Sequence, residues 1–141
     1  MLIKLIVPGT VKGKARPRFN THTGRAYTPD STVTYENYIK TLFITENVIK
    51  PLAEYKGALK VKFEAYMDIP VSKSNKQQQM MASGAIYHKK KPDADNILKL
   101  CDALNKIAWW DDSQIVEAQV LKQYSTEPRL EITIEYLDLQ F

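Results

Sequence analysis

The sequence is poor in the residues on which disulfide-stapled domains and soft-metal sites depend. Cys101 is the single cysteine in 141 residues, which excludes an intrachain disulfide framework and any cysteine-based zinc cluster. Two histidines, His22 and His88, exclude a histidine-rich metal site. The five glycines form no glycine-rich phosphate motif, so a P-loop and a Rossmann fingerprint are both absent. No run of about 18 apolar residues occurs, and no membrane span is expected. Residues 1–8 have no small-residue cleavage site of the signal-peptide kind, and a cytoplasmic protein is the expectation.

Acidic residues are missing from one end of the chain. Residues 1–29 carry six bases (Lys4, Lys12, Lys14, Arg16, Arg18, Arg25) and no acid, whereas 111–141 carry seven acids against two bases. A basic arm on a compact domain suits a polyanion, since phosphates supply most of the sequence-independent affinity for nucleic acid. The chain length fits one domain over residues 1–141, and 44% hydrophobic and 26% charged residues are ordinary for a globular protein.

Periodicity gives the elements. Residues 2–7 read as a strand, after which Gly13, Pro17, Gly24 and Pro29 predict about twenty irregular residues. This stretch interleaves its bases with Phe19 and Tyr27, a composition able to wrap a phosphate backbone. Tyr35, Tyr38, Ile39, Leu42 and Phe43 recur at helical spacing and predict a helix after Asp30 that stops before Pro51. Strict alternation from Leu59 to Met67 predicts a half-buried strand. Ser74 and Gln77 form a capping-box pattern for a short helix closed by Gly84, with Met80 and Met81 toward the core. Val116, Ala118 and Val120, then Leu130, Ile132, Ile134 and Tyr136, predict two more strands, joined around residues 126–128 as an antiparallel hairpin.

The chemistry concentrates between Lys91 and Gln114. Asp93 and Asp95, with Asn96 beside them, precede a helical pattern running to about Ile107, and either aspartate suits its N-cap. Asp95, Lys99, Asp102 and Lys106 would share one narrow stripe of that helix, opposite Ile97, Cys101, Leu104 and Ala108. Trp109 and Trp110 then lead into Asp111 and Asp112. Five aspartates without a histidine in twenty residues describe an oxygen-only site for a hard cation. Magnesium binds through few carboxylates and leaves positions for water and phosphate, as a phosphodiesterase needs, and Lys99 can stabilise developing charge. The plainer alternative is a capped helix whose Asp95 and Lys99 form a solvated pair.

These residues resemble the RusA family of Holliday junction resolvases. The resemblance lies in Asp93-Ala94-Asp95-Asn96, Lys99, Asp102-Ala103-Leu104-Asn105 and Asp111-Asp112-Ser113-Gln114-Ile115, with Gly13-Lys14-Ala15-Arg16-Pro17-Arg18-Phe19 similar to phage-type members. It covers about a third of the chain closely. It implies a homodimeric hydrolase, usually encoded by phages or prophages, that nicks four-way DNA junctions in pairs during recombination and repair. Magnesium is the implied metal, with manganese as a substitute and no small-molecule cofactor. By the same resemblance Asp93, Asp95 and Asp112 are metal-binding catalytic carboxylates and Lys99 is the catalytic lysine. Asn96, Asp102 and Asp111 take supporting roles. Lys106 stands where many members have glycine.

The expected fold is α+β: one two-layer domain, a mixed sheet of about four strands with helices on one face. Lys14, Arg16, Arg18, Lys89, Lys90 and Lys91 are the candidate phosphate contacts. A flap or branch nuclease of lower selectivity, and a non-catalytic branched-DNA-binding protein with a structural cation, are the competing readings.

Overall fold

The computed structural model describes residues 1–47 and 49–138. Four strands form the main sheet: β1 (Leu2–Pro8), β4 (Leu59–Asp68), β5 (Ile115–Ser125) and β6 (Arg129–Tyr136), in the order β1-β6-β4-β5. β6 is antiparallel to both β1 and β4, whereas β5 runs parallel to β4, so the sheet is mixed as expected. Between β1 and β4 come a two-stranded ribbon, β2 (Arg18–Asn20) with β3 (Arg25–Tyr27), and the helices α1 (Asp30–Glu46) and α2 (Ile49–Ala53). The helices α3 (Asn75–Ala82) and α4 (Ala94–Leu98) follow β4. No helix among the described residues is long and apolar enough to cross a membrane.

One sheet face is apolar and carries the helices. Leu5 and Val7 of β1, Leu59, Val61, Phe63 and Ala65 of β4, and Leu130, Ile132 and Ile134 of β6 are buried with Ile39 and Phe43 of α1 and Ile97 of α4. Period-2 alternation in the strands and 3.6-residue spacing in α1 produce this layer. Asn47 stops α1, its backbone and side-chain N–H groups both donating to the Phe43 carbonyl, at 3.1 and 3.0 Å. Pro51 stands inside α2, in a first turn where its missing N–H leaves no helical bond unmade.

The opposite sheet face is mixed, rich in charged side chains but with Leu2, Ile6 and Leu121 exposed on it. Its centre is Glu131, which is buried between Lys4 Nζ at 2.6 Å and Arg129 Nε at 2.8 Å. The Lys4 hydrogen bond holds the Glu131 carboxyl below the usual carboxylate range; partial burial opposes this and Arg129 adds to it. A depressed carboxylate contributes stability that is complete above its unfolded pKa and is lost as pH falls through the folded one. Wild type should therefore lose thermal stability more steeply than Glu131→Gln below about pH 4.3, the ordinary glutamate value. Parallel acid melts of the two proteins would rule out this contribution.

Four expectations need correction. β5 and β6 are joined by a short turn but do not pair: β4 lies between them, with Asp68 opposite Ser125 of β5 and Tyr66 opposite Arg129 of β6. A register shift at the start of β4 pairs Ile115 with Leu59 and leaves Val116 64% exposed, breaking the alternation read from Val116. Met80 is exposed and only Met81 reaches the core, because adjacent helical residues point about 100° apart. The basic arm is not irregular throughout, since β2 and β3 form an antiparallel ribbon.

The predicted long helix also fails. α4 ends at Leu98, and residues Lys99–Leu104 continue as a 3-10 helix. Asn105 then leaves in an extended conformation and Lys106 takes a positive φ of 64°. This turn brings Trp109 back into the core, fully buried, where its indole N–H donates to Asn105 Oδ1 at 2.7 Å. Burying the indole outweighs the weak helical preference of the segment. Lys106 thereby leaves the acidic stripe and lies over the Trp110 ring at 3.7 Å.

Candidate active site

The segment before α4 is held from outside. Lys122 of β5 donates to the carbonyls of Lys90 and Pro92, at 2.7 and 3.0 Å. Gly13 packs so closely that a Cβ there would lie 2.7 Å from Pro92 Cβ and 3.1 Å from Asn96 Cβ. The next residue, Lys14, donates its backbone N–H to the Asn96 carbonyl at 2.8 Å. The N-terminal arm is thus a strut against α4, and only glycine permits that approach.

Asp93 occupies the N-cap position, but its side chain makes no capping bond and pairs instead with Lys91 Nζ at 3.1 Å. Asp95, one helical turn before Lys99, lies 3.6 Å from its Nζ. Both pairs are more than half exposed, so each contributes only a few tenths of a kcal/mol. Asp95, Lys99, Asp102 and Asp112 line one cleft of about 400 Å³, against an apolar wall that includes Ile115. Asp93 is not part of that lining. A larger cavity, about 610 Å³ beside α3, has a single carboxylate, Asp68, in its lining and no comparable charge cluster.

The two late aspartates have separated roles. Asp111 accepts from Ser113 N at 3.0 Å, while Gln114 Oε1 accepts from Asp111 N at 2.7 Å, a complete capping box. The Ser113 bonds hold Asp111 below the usual carboxylate range. Gln114 also donates to the carbonyls of Tyr55 and Gly57, both at 2.8 Å. This fastening leaves Asp112 in the cleft. The Asp112 carboxyl is raised above the usual range, first by partial shelter and then by a hydrogen bond with Asp102 and the charge of that neighbour.

Carboxylates gathered on one cleft wall favour a cation between them, and an oxygen-only donor set fits a hard one. Among the described residues, no three acidic, histidine or cysteine side chains converge closely enough to enclose an ion. The fit is therefore to a cation held by few carboxylates and completed by water and substrate oxygens. Cys101 adds no ligand, since burial, and secondarily Asp102 and Asp112, push its thiol up to about 12.

Lys14 is drawn into the site. Its Nζ lies 2.9 Å from Asp102 Oδ2 and 3.5 Å from Glu36 Oε1 of α1. Burial tends to lower the Lys14 pKa, but the Asp102 and Glu36 contacts outweigh it and raise the pKa overall. Arg16, Arg18, Lys89, Lys90 and Lys91 are exposed, and Asn96 is half-buried behind the Lys14 contact. Sequence reasoning missed Glu36 and Lys122, and had Gln114 only as a member of the late Asp-Asp motif, without its fastening role. Only Gln114 had a local signal, the Asp-x-x-Gln capping pattern; the other two act on residues more than twenty positions away.

The sequence model of a family described as Endodeoxyribonuclease RusA matches residues 8–135. The chain is also 31% identical over 137 residues, 94% of each chain, to a Bacillus subtilis (strain 168) protein named "Uncharacterized protein YqaN".

Proposed function

Because this chain belongs to the RusA family of endodeoxyribonucleases, whose members are metal-dependent and act on Holliday junctions, we propose that it resolves four-way DNA junctions by paired symmetric nicks, as a homodimer, with magnesium. The observation that carries this reading is the meeting of Asp95, Lys99, Asp102 and Asp112 in one cleft. Asp95 and Asp112 would hold the metal, with Asp102 in support. Asp93 joins them on release from Lys91, an exposed pair that a cation readily outcompetes. Manganese, also a hard oxygen-binding ion, is the expected substitute.

A bound magnesium ion supplies Lewis-acid polarisation of the phosphate and a more acidic water. Lys99 stands on the cleft wall, where its ammonium offsets charge developing on the phosphate oxygens. A structural cation would gain nothing from such a neighbour, which favours cleavage over a purely organising site. A four-way junction is roughly two-fold symmetric, and a two-fold protein dimer presents one cleft to each opposed strand.

The test is cleavage of a labelled synthetic four-way junction, a flap and a linear duplex, with magnesium, with manganese and with neither, by wild type and Asp95→Asn. Symmetric paired nicks restricted to the junction, dependent on metal and absent in the variant, are the expected result. Equal cutting of flap and junction would convert the reading to a general branch nuclease. Binding without cutting under every condition would reject nuclease function.

A further inference from the structure

Residues 16–27 leave the body of the protein. All are exposed except Asn20, which is half-buried. The chain departs after Ala15, whose N–H donates to Thr32 Oγ1 at 3.2 Å, and returns at the buried Pro29. The ribbon between these anchors is well formed. Asn20 Oδ1 accepts from His22 N and Thr23 N at 2.8 and 3.2 Å, and Gly24, at φ +68°, donates to the Asn20 carbonyl at 2.8 Å.

A two-stranded hairpin with no layer beneath it is marginal in water. This one nevertheless presents Phe19 64% exposed and Tyr27 47% exposed, among Arg16, Arg18 and Arg25 and with no acid. Its register opposes Arg18 to Tyr27, Phe19 to Ala26 and Asn20 to Arg25. Alternation then places Arg18, Arg25 and Tyr27 on one face and Phe19 on the other. Three residues separate Lys14, whose side chain is fastened to Asp102, from Arg18, so the ribbon begins no more than about 14 Å from the Lys14 backbone.

We propose that the β2–β3 ribbon recognises the branch point of DNA: the Arg18, Arg25 and Tyr27 face holds the backbone of one arm, and Phe19 stacks on a base exposed where the arms diverge. The inference rests on the junction-cleaving reading and adds the element that makes the choice of substrate. A ribbon lying along a linear duplex would cover one face only. Both faces carry nucleic-acid chemistry here, and a branch is where both can be covered. Aromatic stacking on an unpaired base contributes about 1–3 kcal/mol, whereas arginine contacts act through phosphates on any DNA.

The experiment is equilibrium binding to a four-way junction and to a linear duplex of the same sequence, without divalent metal and over a range of salt, with junction cleavage followed separately. Phe19→Ala should weaken junction binding about tenfold, leave duplex binding unchanged and preserve the salt slope; Phe19→Tyr should restore it. Arg18→Ala with Arg25→Ala should reduce the slope by about two units on both substrates. A Phe19→Ala protein that prefers the junction as strongly as wild type, or loses both substrates equally, overturns the ribbon's role while the cleavage reading stands. A wild type that prefers the junction through Phe19 but never cuts it rejects the nuclease instead. Wild-type binding without preference overturns both.

Discussion

Asp112→Asn should slow junction cleavage about 10³-fold, close to 4 kcal/mol of lost transition-state stabilisation, while leaving junction binding within about twofold of wild type. Asparagine keeps the shape and removes the charge, and the Asp111 and Gln114 capping box remains to hold the turn. The stability change runs the other way. A carboxyl whose folded pKa is raised contributes stability that is full below the unfolded pKa and lost as pH rises through the folded one. At neutral pH the ionised Asp112 therefore works against folding beside Asp102, and Asp112→Asn should melt at a higher temperature than metal-free wild type. Magnesium should raise the wild-type Tm by binding the folded state, and raise that of the variant far less. Thermal melts with and without magnesium, beside single-turnover cleavage, measure both; a lower metal-free Tm or undiminished cleavage in Asp112→Asn would reject Asp112 as a metal-binding carboxylate.

Trp109→Ala should cost about 3–5 kcal/mol, a large part of the roughly 5–15 kcal/mol that holds a domain folded. The indole is fully buried, and its loss leaves a cavity and strips Asn105 Oδ1 of its donor. Trp109 also returns the chain from the Asp102 helix toward Asp112, so cleavage should fall along with stability. The Tm should drop by about 10 °C or more. Trp110→Ala is the control: that ring is 43% exposed beneath Lys106 and Lys56, and its removal should cost under about 1 kcal/mol. Urea unfolding of both variants decides the point, since equal costs would contradict the burial difference between the two rings.

The resemblance read from the motifs around Asp93, Lys99, Asp102 and Asp112 agrees with the family match over residues 8–135. The half-buried β4 and the helix from Asp30 were also legible, because a strand or a long amphipathic helix writes its buried face into its own spacing. The short 3-10 run was not. Nothing from Lys99 to Asn105 announces that Trp109 will pull the chain back; the one local sign is Lys106, which stands at the family's glycine position and takes the positive φ.

Residue types and their spacing along the chain determined the mixed α+β class, the aspartate-rich, histidine-free segment from Asp93 to Asp112, the basic arm and the family. These depend on chemistry and on neighbours within a few positions. Tertiary structure alone decided that β4 separates β5 from β6, that Glu131 is buried between Lys4 and Arg129, and that Lys14 ties Glu36 to Asp102. It also decided which aspartates share a cleft: Asp111 is taken by its own turn, Asp93 by Lys91, and Asp112 is left facing Asp102. Strand pairing and the partner of a charge are contests among groups distant in sequence, settled by burial and close approach, and local spacing carries no record of them.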